Sequence, residues 1–569
     1  MAGLWASLLF GRFAGPGLAV AFEGAIFLLA FRESKVFPPS SLGAWFAWLV
    51  WMALSAAHSA QPLSSLGPVS QWGAAVALWG LLRTRGNADW RGTWIVGVFA
   101  LGIAAGAAIA VMGPPGLLPP NQNYTAMLMA AAAAAGLGLW GRSAVARRVR
   151  LAAVAAMILA VIGLLWLKSR GALLGLLAAA AAGLVPPWSR RRTIWLLSGA
   201  AFAAALALWI WPDGILTELK LGDPQALARP HLWLSALKVI ADHPWLGEGP
   251  GNFELGLWRH LPLSGRTLIH YGFYAAQAHS EVLELAAESG IVGLGLFLVA
   301  FWKTVQFAGE RGIFEESAFR AVVAMSAQAC VDNVLHLPGA ALFFFSALAA
   351  SRPDEAAPAS RLPAKEGRKG ARERLSRLSW KALGVAGLLG VAGAVMIGRA
   401  EKECSRSLPA FQEGIAAARR CVRLFPGDPG RRELLARAFM RSRPPRVEKA
   451  LEEIEGAMRL SPDDALYPVM AAEILARRRD WPEVMALTKK ALSLEPNFIE
   501  ARLLRAEALA AMGRSVAARR EWERASSAAS IAARANPAEK LLSRYDELIL
   551  SFDKSRWRRL GRVLTSHKE

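Results

Sequence analysis

The sequence contains little charge and little cysteine for a chain of 569 residues. Charged residues make up 19% and cysteine occurs three times, whereas hydrophobic residues make up 54% and tryptophan occurs 22 times. The apolar residues form long runs instead of the short alternations that are typical of soluble domains. The composition therefore predicts a membrane protein and excludes an ordinary soluble domain.

The three cysteines do not have the spacing of metal ligands. Cys330 lies in an apolar run, while Cys404 and Cys421 stand well apart in the C-terminal region. In an oxidising compartment this pair could form a disulfide, but the pattern favours two unpaired thiols on helix faces. A cleavable signal peptide is not expected, because Arg12 and Glu23 interrupt the first apolar stretch and no small-residue cleavage site follows it.

The formal net charge of +22 could suggest a nucleic-acid partner. The basic residues, however, cluster in short loops between apolar runs and in the tail, which is typical of cytoplasmic anchoring in membrane proteins. We therefore expect no nucleic-acid binding.

The apolar runs predict about 12 or 13 membrane-spanning helices, because about 20 apolar residues cross a bilayer. The predicted spans are 42–60, 66–82, 93–112, 124–141, 150–167, 171–187, 193–211, 290–307, 318–335, 338–351 and 381–398. Residues 4–31 form one or two segments, since Gly15, Pro16 and Gly17 could break a long helix. The sequence thus predicts an all-α polytopic domain over residues 1–351.

Basic residues in every second connection predict the orientation of these spans. The connections predicted to be cytoplasmic contain Arg32, Arg83, Arg147 and Arg190. The connections 61–65 and 113–123 contain no Lys or Arg, so they and the long loop 212–289 are predicted to lie outside. The basic segment 352–380 is then a cytoplasmic linker before the last span at 381–398.

The tail from residue 400 to residue 569 is predicted to be external, and periplasmic if the cell is Gram-negative. Its segments "LFPGDP", "LSPDDA" and "LEPNFI" each follow one apolar-periodic helix and precede another. This pattern over roughly residues 410–530 resembles the tetratricopeptide repeat, an α-solenoid whose period is about 34 residues. Its concave face predicts either a docking surface for a protein partner, which we favour, or a cap that only stabilises the domain.

Polar residues at two junctions between predicted spans are candidates for substrate binding on the outer side. In "PPNQNY", Asn121 and Asn123 offer amides that could bind sugar hydroxyls or simply cap a helix. In "KSRGALL", Lys168 and Arg170 join two apolar runs through a very tight turn. Because anchoring cations favour the cytoplasmic side, an external Arg170 points to a functional role rather than to anchoring alone.

The long external loop contains two further candidates. Arg229 precedes a predicted amphipathic helix that carries Trp233, and it could hold a lipid-linked phosphate bidentately or belong to a helix lying on the membrane. His279 opens a helix in which Ser280 could be the cap and a pair of glutamates shares one face. The pair is Glu284 and Glu288.

Three glycines, Gly247, Gly249 and Gly251, alternate with other residues in "HPWLGEGPGNF" and suggest at first a loop that binds phosphate. The preceding strand and the Lys-Ser/Thr pair of a P-loop are absent, however. We interpret the glycines as backbone freedom for a sharp turn, with the two prolines of the segment fixing the bends. Such a turn could bring Arg229 and His279 together over one diphosphate.

The run "RPHLW…ALKVIADHPWLGEGPGNF" followed by "AHSEVLELAAESGIVGLG" closely resembles the O-antigen ligase and O-antigen polymerase superfamily. The resemblance covers about residues 115–350 and includes "VDNVLHLP". In the ligases a His followed by Asn, Ser or Gln, nine residues and Gly-x-x-Gly is characteristic, which His279, Gly290 and Gly293 match. The family's two arginines map to Arg170 and Arg229. The resemblance implies a GT-C-like helical membrane glycosyltransferase.

The resemblance implies inverting transfer of a glycan from undecaprenyl diphosphate to an acceptor hydroxyl. His279 would accept the acceptor's proton, and Arg170 and Arg229 would stabilise the leaving diphosphate. No metal and no cofactor are expected, since we find no carboxylate cluster of the kind that a divalent cation needs. The reserve phosphate contacts, each of which is more simply explained by loop solvation, are Lys168, Lys238, Arg259 and Arg266.

The sequence does not decide which acceptor receives the glycan. It could be lipid A core for a ligase, another glycan for an O-antigen or exopolysaccharide polymerase, or a protein hydroxyl for an O-oligosaccharyltransferase. Two other classes are a non-catalytic membrane scaffold that presents the repeats and a transporter. A transporter would have polar residues in the middle of broken helices. Few such residues occur here, chiefly Glu23, Asp332 and Asn333.

Overall fold

A computed structural model describes residues 16–32, 41–84, 89–112, 122–139, 145–167, 169–183, 224–261, 275–306, 311–352, 366–404, 412–534, 549 and 552–565. Every regular element within these ranges is helical, which confirms the all-α class. The chain divides into two compact units. The first comprises Met1–His58, Ser65–Leu221 and His279–Met396, and the second comprises Ser59–Ser64, Gly222–Ala278 and Ile397–Glu569.

The first unit is built from apolar helices. They are α1 (Pro16–Arg32), α2 (Leu42–His58), α3 (Leu66–Thr84), α4 (Asp89–Met112), α5 (Gln122–Leu139), α6 (Arg147–Leu167), α7 (Arg170–Gly183), α10 (Glu281–Val305), α11 (Ile313–Ala329), α12 (Pro338–Ala350) and most of α13 (Glu366–Cys404). A short 3-10 turn, Val334–His336, joins α11 to α12. Pro338 starts α12 at a position where its missing N–H costs nothing.

Aromatic side chains form the centre of the first unit. Trp45, Trp48 and Trp72 are at most 1% exposed and meet edge to face, with ring centroids 5.8 Å and 5.5 Å apart along the series. Phe297 of α10 contacts the same rings, its centroid lying 5.1 Å from that of Trp48. The electropositive edge of one ring contacts the electronegative face of the next, and these contacts hold α2, α3 and α10 together.

Three helices in the described part of the chain are long and apolar enough to cross a membrane: Arg147–Leu167, Glu281–Val305 and Trp380–Cys404. Shorter apolar helices include Leu42–His58, Arg170–Ala182 and Pro338–Ala350. These helices support a membrane protein, whereas the predicted number of 12 or 13 spans stays a prediction. The predicted span 193–211 lies outside the described residues.

The second half of the segment 352–380, which is predicted to be a linker before the last span, is helical. Helix α13 already begins at Glu366 and continues without a break to Cys404. Lysine and arginine, the basic residues that suggested a linker, have high helix propensity. The helix therefore extends through them beyond its apolar part.

The second unit contains the loop helices α8 (Pro224–Asp242) and α9 (Phe253–Arg259) and the helices of the tail. The tail helices are α14 (Gln412–Leu424), α15 (Pro429–Arg441), α16 (Val447–Leu460), α17 (Leu466–Arg477), α18 (Trp481–Leu494), α19 (Ile499–Ala511), α20 (Ser515–Arg534) and α21 (Lys554–Thr565). Helices α14 to α20 each pack on the next one in sequence. Pro426, Pro462 and Pro496 lie in the turns between helices, as predicted. Membership of the tetratricopeptide family stays a prediction.

Cys404 and Cys421 form a disulfide, so the expectation of two unpaired thiols is wrong. The bond joins the end of α13 to the first helix of the tail, where both cysteines are buried against Phe425. The spacing of the two cysteines along the sequence left both outcomes open, because their proximity depends on how the tail folds.

Candidate functional site

His279 has an unusual backbone conformation at the start of α10. Its φ of 51° lies in the left-handed region, which a non-glycine residue adopts only at a cost of about 1–3 kcal/mol. The hydroxyl of Ser280 accepts a hydrogen bond from the N–H of Leu283, which confirms Ser280 as the cap. The side chain of His279 is 39% exposed, so the imidazole remains accessible. Strain of this kind at an accessible histidine is typical of a functional site.

A buried carboxylate accompanies His279. The Nδ1 atom of His279 lies 3.6 Å from Oδ1 of Asp332, whose side chain is 2% exposed. The same Oδ1 accepts a hydrogen bond from the N–H of Asn333. At 3.6 Å the two atoms are too far apart for a hydrogen bond, but a negative charge beside Nδ1 favours the proton on that nitrogen and leaves Nε2 as the free base. The arrangement can therefore accept a proton from a hydroxyl.

Glu281 ties the two chain segments of this pair together. Its backbone N–H donates to the carbonyl of Asp332, and its carboxylate accepts hydrogen bonds from the N–H groups of Leu335 and His336. Its other carboxylate oxygen lies 2.8 Å from Nδ1 of His336. The start of α10 and the 3-10 turn are thus held as one piece.

Arg170 is the first residue of α7, and that helix start packs on the end of α11. A Cβ added at Gly171 would lie 3.3 Å from side-chain atoms of Gln328 and Val331, so only glycine allows this close approach without adjustment. Val331 directly precedes Asp332 in sequence. The backbone of Arg170 is therefore anchored to the segment that carries the carboxylate partner of His279.

Asn123 joins the same neighbourhood at the start of α5. Its Oδ1 accepts a hydrogen bond of 3.1 Å from Ser169, and its carbonyl accepts one of 3.0 Å from the amide of Gln328. The structure therefore brings together the predicted residues Asn123 and Arg170. The predicted contacts Asn121, Lys168 and Arg266 lie outside the described residues.

Arg229 belongs to the second unit and lies inside α8, not before it as predicted. Pro230 favoured a later helix start, because a residue that precedes proline avoids helical geometry, but Pro224 already begins the helix. Trp233 donates from Nε1 to the carbonyl of Ala278. That Arg229 and His279 act on one diphosphate stays a prediction.

Helix α8, which is predicted to be amphipathic, buries one face but also exposes apolar side chains. Leu232, Ala236 and Val239 are buried, whereas Leu237 is 52% exposed. Two further apolar side chains, Leu234 and Trp245, are 58% and 68% exposed. An exposed apolar edge on a loop helix is compatible with the predicted position at a membrane surface.

The glycine turn has the predicted backbone freedom. Gly247, Gly249 and Gly251 have φ values of 72°, 98° and 74°. A Cβ at Gly249 would come within 2.5 Å of Cβ of Ser59, so this position also needs glycine for close approach. Asn252 donates to the hydroxyl of Ser59, which fixes the turn.

Arg259 takes part in a partly exposed ion-pair network of the second unit. Its guanidinium contacts the carboxylates of Glu248 and Asp242, and Glu248 is 5% exposed. Partial burial would raise the pKa of Asp242, but hydrogen bonds from His260 and Arg259 lower it below its usual value. The network closes the glycine turn, so a structural role for Arg259 and Glu248 explains them without a substrate. Lys238 is exposed on α8.

Sequence reasoning assigned no role to Asp332, Glu281 or His336. The segment "VDNVLHLP" was one signal, since it places an acid and a histidine within an otherwise apolar run. Its role depends on a fold in which the end of α11 returns to the start of α10. A local sequence pattern cannot reveal this long-range contact.

Residues 123–298 match the family described as O-antigen ligase. An O-antigen ligase of Pseudomonas aeruginosa is 29% identical over 217 residues, which are 37% of this chain and 49% of that protein. The chain thus matches about half the length of this relative. The family match includes Arg170, Arg229 and His279.

Proposed function

We propose that this chain, a member of the O-antigen ligase family through its residues 123–298, is a glycosyltransferase of surface polysaccharide biogenesis. Its donor would be a glycan on undecaprenyl diphosphate, and its acceptor a hydroxyl at the outer face of the plasma membrane. The observation that carries the proposal is the accessible, strained His279, which lies within the matched residues and beside the buried Asp332.

His279 would act as the general base. The acceptor oxygen attacks the anomeric carbon and forms the new glycosidic bond while its proton passes to Nε2 of His279. The bond between the anomeric carbon and the diphosphate oxygen breaks, and its electron pair leaves with undecaprenyl diphosphate. Asp332 would stabilise the imidazolium that forms, because its carboxylate lies beside Nδ1.

Arginines would stabilise the charge that develops on the leaving diphosphate. A guanidinium keeps its charge at any physiological pH and binds two phosphate oxygens at once. Arg170 suits this task because the start of α7 is anchored beside Val331. We propose Arg229 as a second phosphate ligand and Asn123 as a contact for sugar hydroxyls. No metal is needed at the reacting atoms in this mechanism.

The second unit supports an external location for its segments. It gathers Ser59–Ser64, Gly222–Ala278 and Ile397–Glu569, all of which the distribution of basic residues predicts to be outside. It also contains the disulfide between Cys404 and Cys421, and disulfides persist in oxidising compartments such as the bacterial periplasm. Two independent features therefore favour the same side of the membrane.

The helical tail would hold the external loop in place. The hydroxyl of Ser461, in the turn after α16, donates to the carbonyl of Trp258 in α9. With its amide oriented to satisfy its neighbours, Gln61 accepts from the N–H groups of Gly427 and Asp428 in the turn before α15. Two turns of the tail thus contact the external loop and the connection 59–64, and binding of a protein partner on the tail's concave face would be a further role.

Complementation of a strain that lacks this chain tests the function. We expect the wild type to restore the surface glycan and His279→Ala to fail, while His243→Ala, a change at an exposed loop histidine, restores it. Full restoration by His279→Ala at matched protein level would contradict the proposal. The glycan that disappears in the deletion strain identifies the acceptor: lipid A core, a growing polymer or a protein.

A further inference from the structure

A buried group of three carboxylates and one imidazole lies at the first half of α10. Glu281, Glu284 and Glu288 share one face of that half-helix, and all three face His336 of the 3-10 turn. The glutamate side chains are 4%, 2% and 1% exposed, and that of His336 is 10% exposed. Burial of so much negative charge is costly unless a cation compensates it.

The spacing of three atoms in this group does not fit hydrogen bonding. Nε2 of His336 lies 3.4 Å from Oε1 of Glu284 and 3.6 Å from Oε2 of Glu288, beyond the usual N–H···O range of about 2.7–3.2 Å. Both Nε2 of His336 and Oε2 of Glu288 are buried without a hydrogen-bond partner. Two unsatisfied atoms therefore point into one small space.

The same spacing fits the ligands of one metal ion. A tetrahedral ion with ligands at about 2.0–2.2 Å holds neighbouring ligand atoms about 3.4 Å apart. The ligand atoms of Glu284, Glu288 and His336 all lie within 4.8 Å of one another. Two carboxylates and one imidazole form a donor set that zinc and similar ions use, with a fourth position for water.

Glu281 supplies the outer contact that metal-binding histidines usually have. Its carboxylate lies 2.8 Å from Nδ1 of His336 and also accepts two backbone N–H groups. A proton on Nδ1 leaves Nε2 with its lone pair directed at Glu284 and Glu288. A lone pair facing two carboxylates is repulsive unless a cation lies between them.

Neighbouring residues hold the group in position. Gln71 donates to the carbonyls of Leu335 and His336, and Ser55 donates to the carbonyl of Glu288. Gly290, whose φ is 72°, breaks α10 just after these glutamates. The half-helix is thus a separate rigid piece whose ligands are set before any ion binds.

We propose that Glu284, Glu288 and His336 bind a divalent transition-metal ion of the zinc type, with Glu281 orienting the imidazole. A divalent ion and a neutral imidazole leave one negative charge in the group, whereas an imidazolium alone leaves two. The ion would lock α10 to the 3-10 turn, the two segments that carry His279 and Asp332. It acts on their position and takes no part at the reacting atoms.

Metal analysis of the full-length chain, purified in detergent after growth with added zinc, tests the site. We expect about one tightly bound ion per chain in the wild type, as in structural zinc sites, and its loss in Glu284→Gln/Glu288→Gln. Glu316→Gln, which alters a glutamate outside the group, keeps the ion. A wild type without the ion overturns the proposal in favour of a buried imidazolium, and a double variant that retains the ion overturns it by showing that these glutamates are not the ligands.

Exchange of a single ligand distinguishes loss of the metal site from misfolding of the double variant. His336→Cys keeps a donor at the position, so the cobalt-loaded chain gains a thiolate-to-cobalt absorption band that the wild type lacks. An unchanged cobalt spectrum contradicts the site. His279→Ala keeps the ion while it abolishes transfer, so failure of the metal site and failure of the proposed function give different results.

Discussion

Nδ1 of His279 and Oδ1 of Asp332 lie 3.6 Å apart, although the two residues are 53 positions apart in the sequence. The pair lies at the start of α10 and the end of α11, and Glu281 links the two backbones by accepting and donating hydrogen bonds. These backbone contacts hold the two chain segments together, so the carboxylate stands beside the imidazole before substrate binds. A preorganised negative charge of this kind stabilises the imidazolium that forms when the proton is transferred.

Asp332→Asn should lower the rate of glycan transfer by about 10²- to 10⁴-fold, because the carboxylate no longer orients and stabilises the imidazole. Steady-state kinetics of the purified chain would show a fall in kcat with little change in KM, as for an interaction made chiefly in the transition state. Asp463→Asn, in a tail turn, is the matched control and should behave as the wild type. An Asp332→Asn variant with an unchanged kcat would remove the carboxylate from the mechanism.

Arg170→Ala should reduce kcat/KM by about 10²-fold or more, and Arg170→Lys should recover only part of it. Lysine restores the charge but not the bidentate geometry that a diphosphate favours. The comparison is made against Arg148→Ala, an exposed arginine at the start of α6 that is predicted to face the cytoplasm. Equal activity of the alanine variants at positions 170 and 148 would contradict a phosphate-binding role.

The stability of the second unit should fall between about pH 4.5 and 7 because of Glu254. Burial, followed by the nearby Asp428 and Glu401, raises the pKa of Glu254 from 4.5 to about 7. The folded chain therefore holds a proton that the unfolded chain releases in this window, and folding loses this advantage as the pH rises through it.

Glu254→Gln should remove the pH dependence and raise stability at pH 8 by about 2 kcal/mol, after allowance for partial exposure. Thermal unfolding followed by tryptophan fluorescence at several pH values measures the effect. Glu483→Gln, at an exposed position of α18, should leave the profile unchanged. A wild-type profile that is flat from pH 5 to 8 would show that Glu254 does not titrate in this range.

The disulfide should stabilise the second unit by about 3 kcal/mol, since it closes a loop between residues that are 17 apart. Replacing both Cys404 and Cys421 by serine should lower the unfolding temperature, whereas Cys330→Ser at the free cysteine should not. Thiol labelling of the unfolded, unreduced chain should modify Cys330 alone. Labelling of three cysteines in protein from intact cells would place the tail in a reducing compartment.

The sequence predicts helices well where apolar runs end at turn residues. The span expected at 42–60 corresponds to Leu42–His58, and the one at 338–351 to Pro338–Ala350. The prediction for 318–335 extends past the observed end of Ile313–Ala329, because hydropathy continues through "VDNVLHL" while the chain turns there. The turn is made by contacts of Asp332 and Glu281, which no local pattern encodes.

The candidate site was predictable only in part for the same reason. His279 and Arg170 stand out as polar residues at the ends of apolar runs, and resemblance adds weight to both. The roles of Asp332 and His336 depend on partners at the start of α10, which are distant in sequence. The sequence places Glu284 and Glu288 on one helix face, but it does not reveal that both, together with Glu281, face the distant His336.

The central claim is that His279 serves glycan transfer from undecaprenyl diphosphate. The most direct measurement follows release of undecaprenyl diphosphate by the purified full-length chain supplied with the lipid-linked glycan and the acceptor identified from the deletion strain. We predict release in step with formation of the new glycosidic bond in the wild type, and loss of both in His279→Ala. Release and bond formation at the wild-type rate by His279→Ala would contradict the account.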